Sequence, residues 1–224
     1  MSTYLDIVGS GTTHVTLPTL AAYTDDILDI RVRARATWAT AGGYNLGGVY
    51  GTGGNQAWAV YIAALGKMYV RASDDGTNLD IQISTTPITS IADNEDIWLK
   101  WIWNAGAISY FFSRDATFDD TAVSWTAHGT DTAGFSTIYG STLDMKLARL
   151  DGVGSFTGRI ERFIVRTGAG AVVVADIDFT NLPLDTTSFT EDSSNAATVT
   201  LNDTASIGGV YVPPSRTFHL LGVG

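Results

Sequence analysis

Glutamate is scarce in this sequence: Glu95, Glu161 and Glu191 are the only three among 23 acidic residues. Cleavage of a glycosidic bond needs two carboxylates facing each other across a groove. No E-x-D-x-E or comparable spacing occurs here. His14, His128 and His219 stand far apart and no G-x-S-x-G is present, so a Ser-His-Asp hydrolase has no support. In "GTGGNQ" (51–56), Gln56 stands where a dinucleotide fingerprint needs its third glycine, and "LGKM" (65–68) lacks the rest of a phosphate loop. No enzymatic activity is expected.

What remains for chemistry is carboxylate oxygens and aromatic rings. Calcium is the ion that suits an aspartate-rich chain, because hard cations take several oxygen ligands. Asp74 with Asp75, Asp93 with Asp96, and Asp119 with Asp120 are the candidates. None has EF-hand spacing, and acids paired in turns usually serve the turn itself, so no cofactor is expected. A glycan site needs an exposed ring for stacking, flanked by amide or charged hydrogen-bonding groups. The candidates are Tyr44, Tyr50, Asn55, Trp58 and Trp125, all near glycine-rich or polar turns. The first four fall within "AGGYNLGGVYGTGGNQAW" (41–58), which has seven glycines in eighteen positions. That stretch reads either as a tightly turning loop or as a recognition loop on a rigid scaffold, with 125–140 as a second rim segment.

Strands have to position these groups. A chain of 224 residues with 45% hydrophobic residues, 16% charged residues and no cysteine can bury a large core without disulfides or a thiolate metal site. The net charge of −10 speaks against nucleic acid or an anionic membrane as partner, since phosphate binding needs clustered Lys and Arg. The opening "MSTYLDIVGSGTTHV" has neither the basic nor the apolar part of a signal peptide, and no apolar run reaches the roughly 18–20 residues that span a bilayer. Aspartate favours turns and caps where glutamate favours helices.

Alternation with period two is easy to find. In "LDIRVRARATW", Ile30, Val32, Ala34, Ala36 and Trp38 share one face, while Arg31, Arg33, Arg35 and Thr37 share the other. Such an arginine row is read as solvated or paired with cross-strand acids, or else as a contact for an acidic neighbour. Three hairpins are predicted: the opening stretch, "QAWAVYIAAL" with "KMYVRAS" about Gly66, and 97–103 with 107–113 about "NAG". "SDDGTN" (73–78) turns into a further strand, "LDIQIS". Later strands are predicted at 143–150, 156–166, 171–179, 197–201 and 205–211. Within "DIWLKWIWN", Ile97, Leu99, Trp101 and Trp103 oppose Trp98, Lys100 and Ile102. Apolar groups on both faces predict a strand covered on both sides, with Trp101 and Trp103 in the core and Trp98 at least half buried. The expected fold is all-β: an antiparallel β-sandwich over 1–210 with a short C-terminal arm, 211–224.

The order "LDIRVRARA", "WLKWIW", "ISYFFSRD", "SFTGRIERFIVRTG", "VVVADIDF", "SFTEDSSNAATVTLNDTASI" resembles the concanavalin-like, laminin-G-like jelly roll of many bacteriophage tail and virion proteins. The resemblance covers residues 4–209 and departs from the pattern at Ala196, Ala197 and Val199, where a Gly-Asn turn and a Trp are usual. It implies a virion structural protein, a capsid decoration or a tail or fibre component, assembled in the host cytoplasm. The apolar arm supplies the docking candidates Tyr211, Pro213, Pro214, Arg216, Phe218, His219, Leu220 and Leu221. They are expected to seat on other virion proteins or on a second copy, as a homotrimer. The other reading is a lectin-like module that recognises cell-surface polysaccharide.

Overall fold

The computed structural model describes residues 3–7, 14–39, 44–51, 54–63, 66–83, 86–149, 156–202 and 205–209. The strands are β1 (Thr3–Ile7), β2 (His14–Leu17), β3 (Ile27–Ala36), β4 (Tyr44–Val49), β5 (Trp58–Ala63), β6 (Lys67–Ala72), β7 (Asp80–Ile83) and β8 (Asp96–Asn104). They continue as β9 (Ala107–Ser113), β10 (Thr126–Thr132), β11 (Met145–Leu147), β12 (Gly158–Thr167), β13 (Val172–Asp178), β14 (Ser188–Thr190), β15 (Thr198–Asn202) and β16 (Ser206–Gly209). One 3-10 turn, Ala21–Thr24, is the only helical element among the described residues. The expected all-β antiparallel sandwich is what the chain forms.

Two sheets face each other. The first runs β10-β9-β8-β3-β12-β1-β16, with β13 also on β12; the second runs β14-β15-β2-β11-β4-β5-β6-β7. Inward residues of both close one core: Val32, Leu99, Trp101, Trp103 and Phe163 from the first sheet, and Val15, Leu46, Trp58, Val60, Met68 and Leu147 from the second. Trp98 lies on the other face of β8 and is also fully buried, packed with Val123 and Ile164. The aromatic run at 96–112 is therefore largely interior, as alternation on both faces requires.

Two local expectations fail. The opening stretch is not a hairpin: β1 pairs with β12 and β16 in the first sheet, while β2 pairs with β11 and β15 in the second. Leu5 and Val15 thereby reach the core from opposite sides, a distant pairing that no local pattern encodes. Residues 44–49, read as part of a loop, form β4 within the second sheet. Its two glycines are there for close approach. A Cβ on Gly47 would lie 2.7 Å from the Phe163 ring, and one on Gly48 would lie 2.3 Å from the Trp58 carbonyl oxygen.

The arginine row of β3 is covered by the segment 114–125. Asp120 is 4% exposed, and its Oδ2 accepts from Arg31 Nη1 and Arg166 Nη2, each at 2.7 Å. Arg33 binds Glu161 at 2.6 Å and donates to the Asp115 carbonyl at 2.7 Å. Arg162 donates to the Phe118 carbonyl while holding Asp176 through two bonds. Arg35 pairs with Asp96. The row is thus matched by acids, mostly from neighbouring strands. Truncation of Asp120 would strand buried guanidinium groups, a change that typically costs about 3–5 kcal/mol. Asp120→Ala is expected to lose stability on that scale in urea unfolding, and an unchanged midpoint would contradict the clamp.

Candidate functional site

The hairpins β4-β5-β6-β7 carry a second set of side chains on the face turned away from the core. Register places Asn45 opposite Tyr61 and Tyr61 opposite Tyr69, with Gly48, Ala59, Arg71 and Ile81 as the adjacent row. The Tyr61 and Tyr69 rings stack at 4.7 Å with an interplanar angle of 6°. The Arg71 guanidinium lies over Tyr61, 5.1 Å from its centroid. Tyr50 and Ala59 complete the cluster, with Ala63 and Leu79 against it. Asn45 and Tyr61 are fully buried and Tyr50 and Tyr69 nearly so. Arg71 and Leu79 form a half-buried margin, and Ile81 beyond them is exposed.

Polar groups in this cluster are poorly matched. The Asn45 Nδ2 and Oδ1, the Tyr61 hydroxyl and the Arg71 Nε are buried without a well-formed hydrogen bond, although the Asn45 amide lies close enough to the Tyr61 hydroxyl to favour its ionised form. Burial pushes the Tyr61 hydroxyl far above the ordinary tyrosine value, and Arg71 and the nearby Asn45 offset only part of this. Burial likewise raises Tyr69, again opposed by Arg71. Both hydroxyls stay protonated at neutral pH. Buried polar atoms are satisfied in the great majority of cases, so a knot of unmatched ones beside stacked rings is an unusual local cost. Amide, phenol and guanidinium groups are here gathered around the stacked rings, with Tyr69 and Arg71 at the margin of the cluster.

The five glycan candidates do not form one site. Trp58 must be withdrawn: it is 1% exposed in the core, and its Nε1 donates to the Tyr23 carbonyl, so no ring face is free for a sugar. Tyr50 belongs to the cluster and not to an exposed loop tip. Tyr44 begins β4, and its side chain lies outside the described residues. Asn55 sits at the rim, where its carbonyl accepts from Ser141 Oγ at 3.3 Å and Gln56 donates to the Gly76 carbonyl at 3.1 Å. Trp125 lies over the first sheet, half-buried and edge-on to Trp98 at 6.2 Å. Of the second rim segment, 126–132 is strand β10.

The aspartates are engaged elsewhere. Asp75 Oδ1 accepts from the backbone of Thr77 and Asn78, each at 2.7 Å, closing its own turn. Asp96 and Asp120 hold arginines, and Asp93 Oδ1 accepts from the Ala39 N–H. Among the described residues no three metal-ligating side chains converge. The docking candidates Tyr211, Pro213, Pro214, Arg216, Phe218, His219, Leu220 and Leu221 all lie outside the described residues. A cavity of about 450 Å³ at the first sheet, lined by Asp6, Arg35, Asn94 and Arg159, lies apart from the tyrosine cluster.

No protein-family model and no curated protein matches the chain. Solved structures do. A protein of Bacteroides ovatus, provisionally described as carbohydrate-binding, superposes with a TM-score of 0.63 at 9% identity, over 95% of this chain and 61% of that one. Mouse laminin α1 domains LG4-5 superpose with a TM-score of 0.51 at 13% identity, over 78% of this chain and 42% of that one. The fold is the concanavalin-like, laminin-G-like jelly roll. At these identities the likeness is one of fold alone. The chain spans about three-fifths of the Bacteroides protein. Tailspike protein 2 of bacteriophage CBA120 matches only at a TM-score of 0.48, with 12% identity over 75% of this chain and 28% of that one, too remote to support a phage origin.

Lys100 offers a test of the opposite sheet. It is 8% exposed, with Nζ 4.4 Å from the Phe111 centroid and 4.2 Å from that of Trp125. Burial lowers its pKa from 10.5 to about 8, with Asp29 opposing and Arg31 adding to the shift. The unfolded chain holds this proton more tightly, so between about pH 8 and 10.5 the group makes stability rise with pH. Below pH 8 its desolvation cost is present in full. Measured by urea unfolding, wild type is expected to gain on Lys100→Met across that window. A constant difference would contradict the burial.

Proposed function

We propose that the protein is a non-enzymatic carbohydrate-binding module whose ligand lies on the outer face of the second sheet, over β4 to β7. The observation that carries this reading is the stacked Tyr61–Tyr69 pair with unmatched Asn45 and Tyr61 polar atoms beside it. The fold likeness to the Bacteroides protein described as carbohydrate-binding supports it. The opposite outer face is filled by the segment 114–125.

Tyr69 and Arg71, at the margin of the cluster, would border the sugar ring, with the fully buried Asn45 and Tyr61 behind them. The virion reading, which rests on the family resemblance together with the C-terminal arm, is not carried forward: the arm lies outside the described residues, and the tailspike likeness is too remote to support it.

A glycan array followed by calorimetry on the best hit tests the proposal. Tyr69→Ala and Arg71→Ala are each expected to weaken binding at least about tenfold, equivalent to about 1.4 kcal/mol. Trp125→Ala on the other sheet should leave affinity unchanged. Loss of binding in Trp125→Ala with retention in the other two would move the site, and an array without hits would reject the function.

A further inference from the structure

We infer that the cavity of about 450 Å³ at the first sheet is a second ligand site, which takes a small zwitterion of the α-amino-acid type between Arg159 and Asp6. It is independent of the carbohydrate reading, which concerns the outer face of the other sheet.

The register of four strands sets a row of charges along this cavity. Asp96 on β8 faces Arg35 on β3, Arg35 faces Arg159 on β12, and Arg159 faces Asp6 on β1. Their parity is opposite to that of the core residues Ile97, Ala34, Ile160 and Leu5, so the four share the outer face. At one end of the row, Arg35 Nε and Nη2 donate to the two oxygens of Asp96. At the other end the opposite charges stay apart. Among the described residues, neither Arg159 nor Asp6 has an ion pair or a side-chain hydrogen bond. The Arg159 guanidinium lies instead over the Tyr4 ring, 4.1 Å from its centroid. Tyr4 is itself fixed: it is buried, and Gly208 of β16 lies so close that a Cβ there would come within 2.4 Å of the ring.

A ring attracts a cation but supplies no carboxylate. Arg71 has a similar ring contact; Arg159 differs in lining an open cavity together with an acid that has no partner. The ligand follows from the charges. Arg35 and Asp96 neutralise each other, which leaves one cation and one anion, both half-buried and so partly shielded from water. A lone anion would gain from Arg159 and be opposed by Asp6, and a lone cation the reverse. A zwitterion satisfies both. Facing residues of antiparallel strands stand about 4.5–5.5 Å apart at Cα, so the two ligand charges have to sit on the same or adjacent carbons. An α-amino acid has that spacing: its carboxylate accepts from the Arg159 guanidinium and its ammonium donates to Asp6. The rest of the cavity, bordered by the exposed Asn94 and Thr157, is left for the ligand's side chain.

Calorimetry on the full chain, with L-alanine as the first probe and the other α-amino acids after it, tests the inference. L-Alanine is expected to bind at least about tenfold more tightly than acetate, methylammonium or ε-aminocaproate, whose charges are single or too far apart. Arg159→Gln and Asp6→Asn should each weaken that binding at least about tenfold. Asp6→Asn should unfold in urea at the wild-type midpoint, because the carboxylate holds no other group of the protein; this separates recognition from a structural role. Tyr69→Ala, on the other sheet, should leave the affinity for L-alanine unchanged, so failure of the sugar site and failure of this one are distinguishable. Equal affinity for acetate or ε-aminocaproate would overturn the inference, as would binding that survives both Arg159→Gln and Asp6→Asn. Glucose bound more tightly than L-alanine, and lost in Asp6→Asn, would overturn it in favour of a second sugar site. Absence of binding by every α-amino acid would reject it.

Discussion

Asp120 closes one side of this molecule. β3 and β12 are neighbours, and their register sets Arg35 opposite Arg159 and Arg33 opposite Arg162. Like charges in such positions repel, so the face is tenable only if acids are interleaved. Asp29, Asp96, Glu161 and Asp176 come from the strands themselves, and Asp120 comes from the segment that crosses above them. By accepting from Arg31 and Arg166 together, Asp120 ties 114–125 down over Trp98 and Ile164. The first sheet is then covered on both sides and closed to solvent across its centre.

The second sheet follows the opposite arrangement. Its inner face is as well packed as that of the first, but its outer face holds a polar cluster in which several buried atoms lack partners. Most arginines of the first sheet are matched by carboxylates, whereas Arg71 on the second and Arg159 on the first each lie over a tyrosine ring. Folded proteins tend to break the rule of satisfied polar groups at functional sites. Unmatched buried atoms occur on both sheets, at Trp101, Trp103, Tyr110 and His128 as well as at Asn45 and Tyr61, and on the second sheet they sit in one cluster with Tyr50 and Tyr69.

Much of the sandwich could be read from the sequence where partners are adjacent in the chain. The β5-β6 hairpin about Gly66 and the β8-β9 hairpin about Ala105 and Gly106 stand where alternation and turn residues put them. Pairings between distant segments, such as Leu5 with Ile160 and Val15 with Leu147, carry no local mark. Glycine misled at β4, because Gly47 and Gly48 look like a loop until Phe163 and the backbone of β5 are seen against them. The site was half legible. In "AWAVYIAAL" and "KMYVRAS", Tyr61 and Tyr69 have the opposite parity to the core residues, and a hairpin about Gly66 pairs them. What the sequence could not convey was that, among the described residues, no carboxylate pairs with Arg71, since a missing partner is a fact of three-dimensional packing. Trp58 was misassigned for the converse reason: its parity matches Val60 and Ile62, which marks the core.

Backbone amide shifts in a nitrogen-15 spectrum, recorded while the best array glycan is titrated in, test the central claim most directly. The account predicts that perturbations concentrate at Asn45, Gly48, Tyr50, Ala59, Tyr61, Tyr69, Arg71 and Ile81, with residues 114–125 unmoved. Perturbations centred on Trp125 and Lys100, or on the rim around Asn55 and Tyr139, would contradict it.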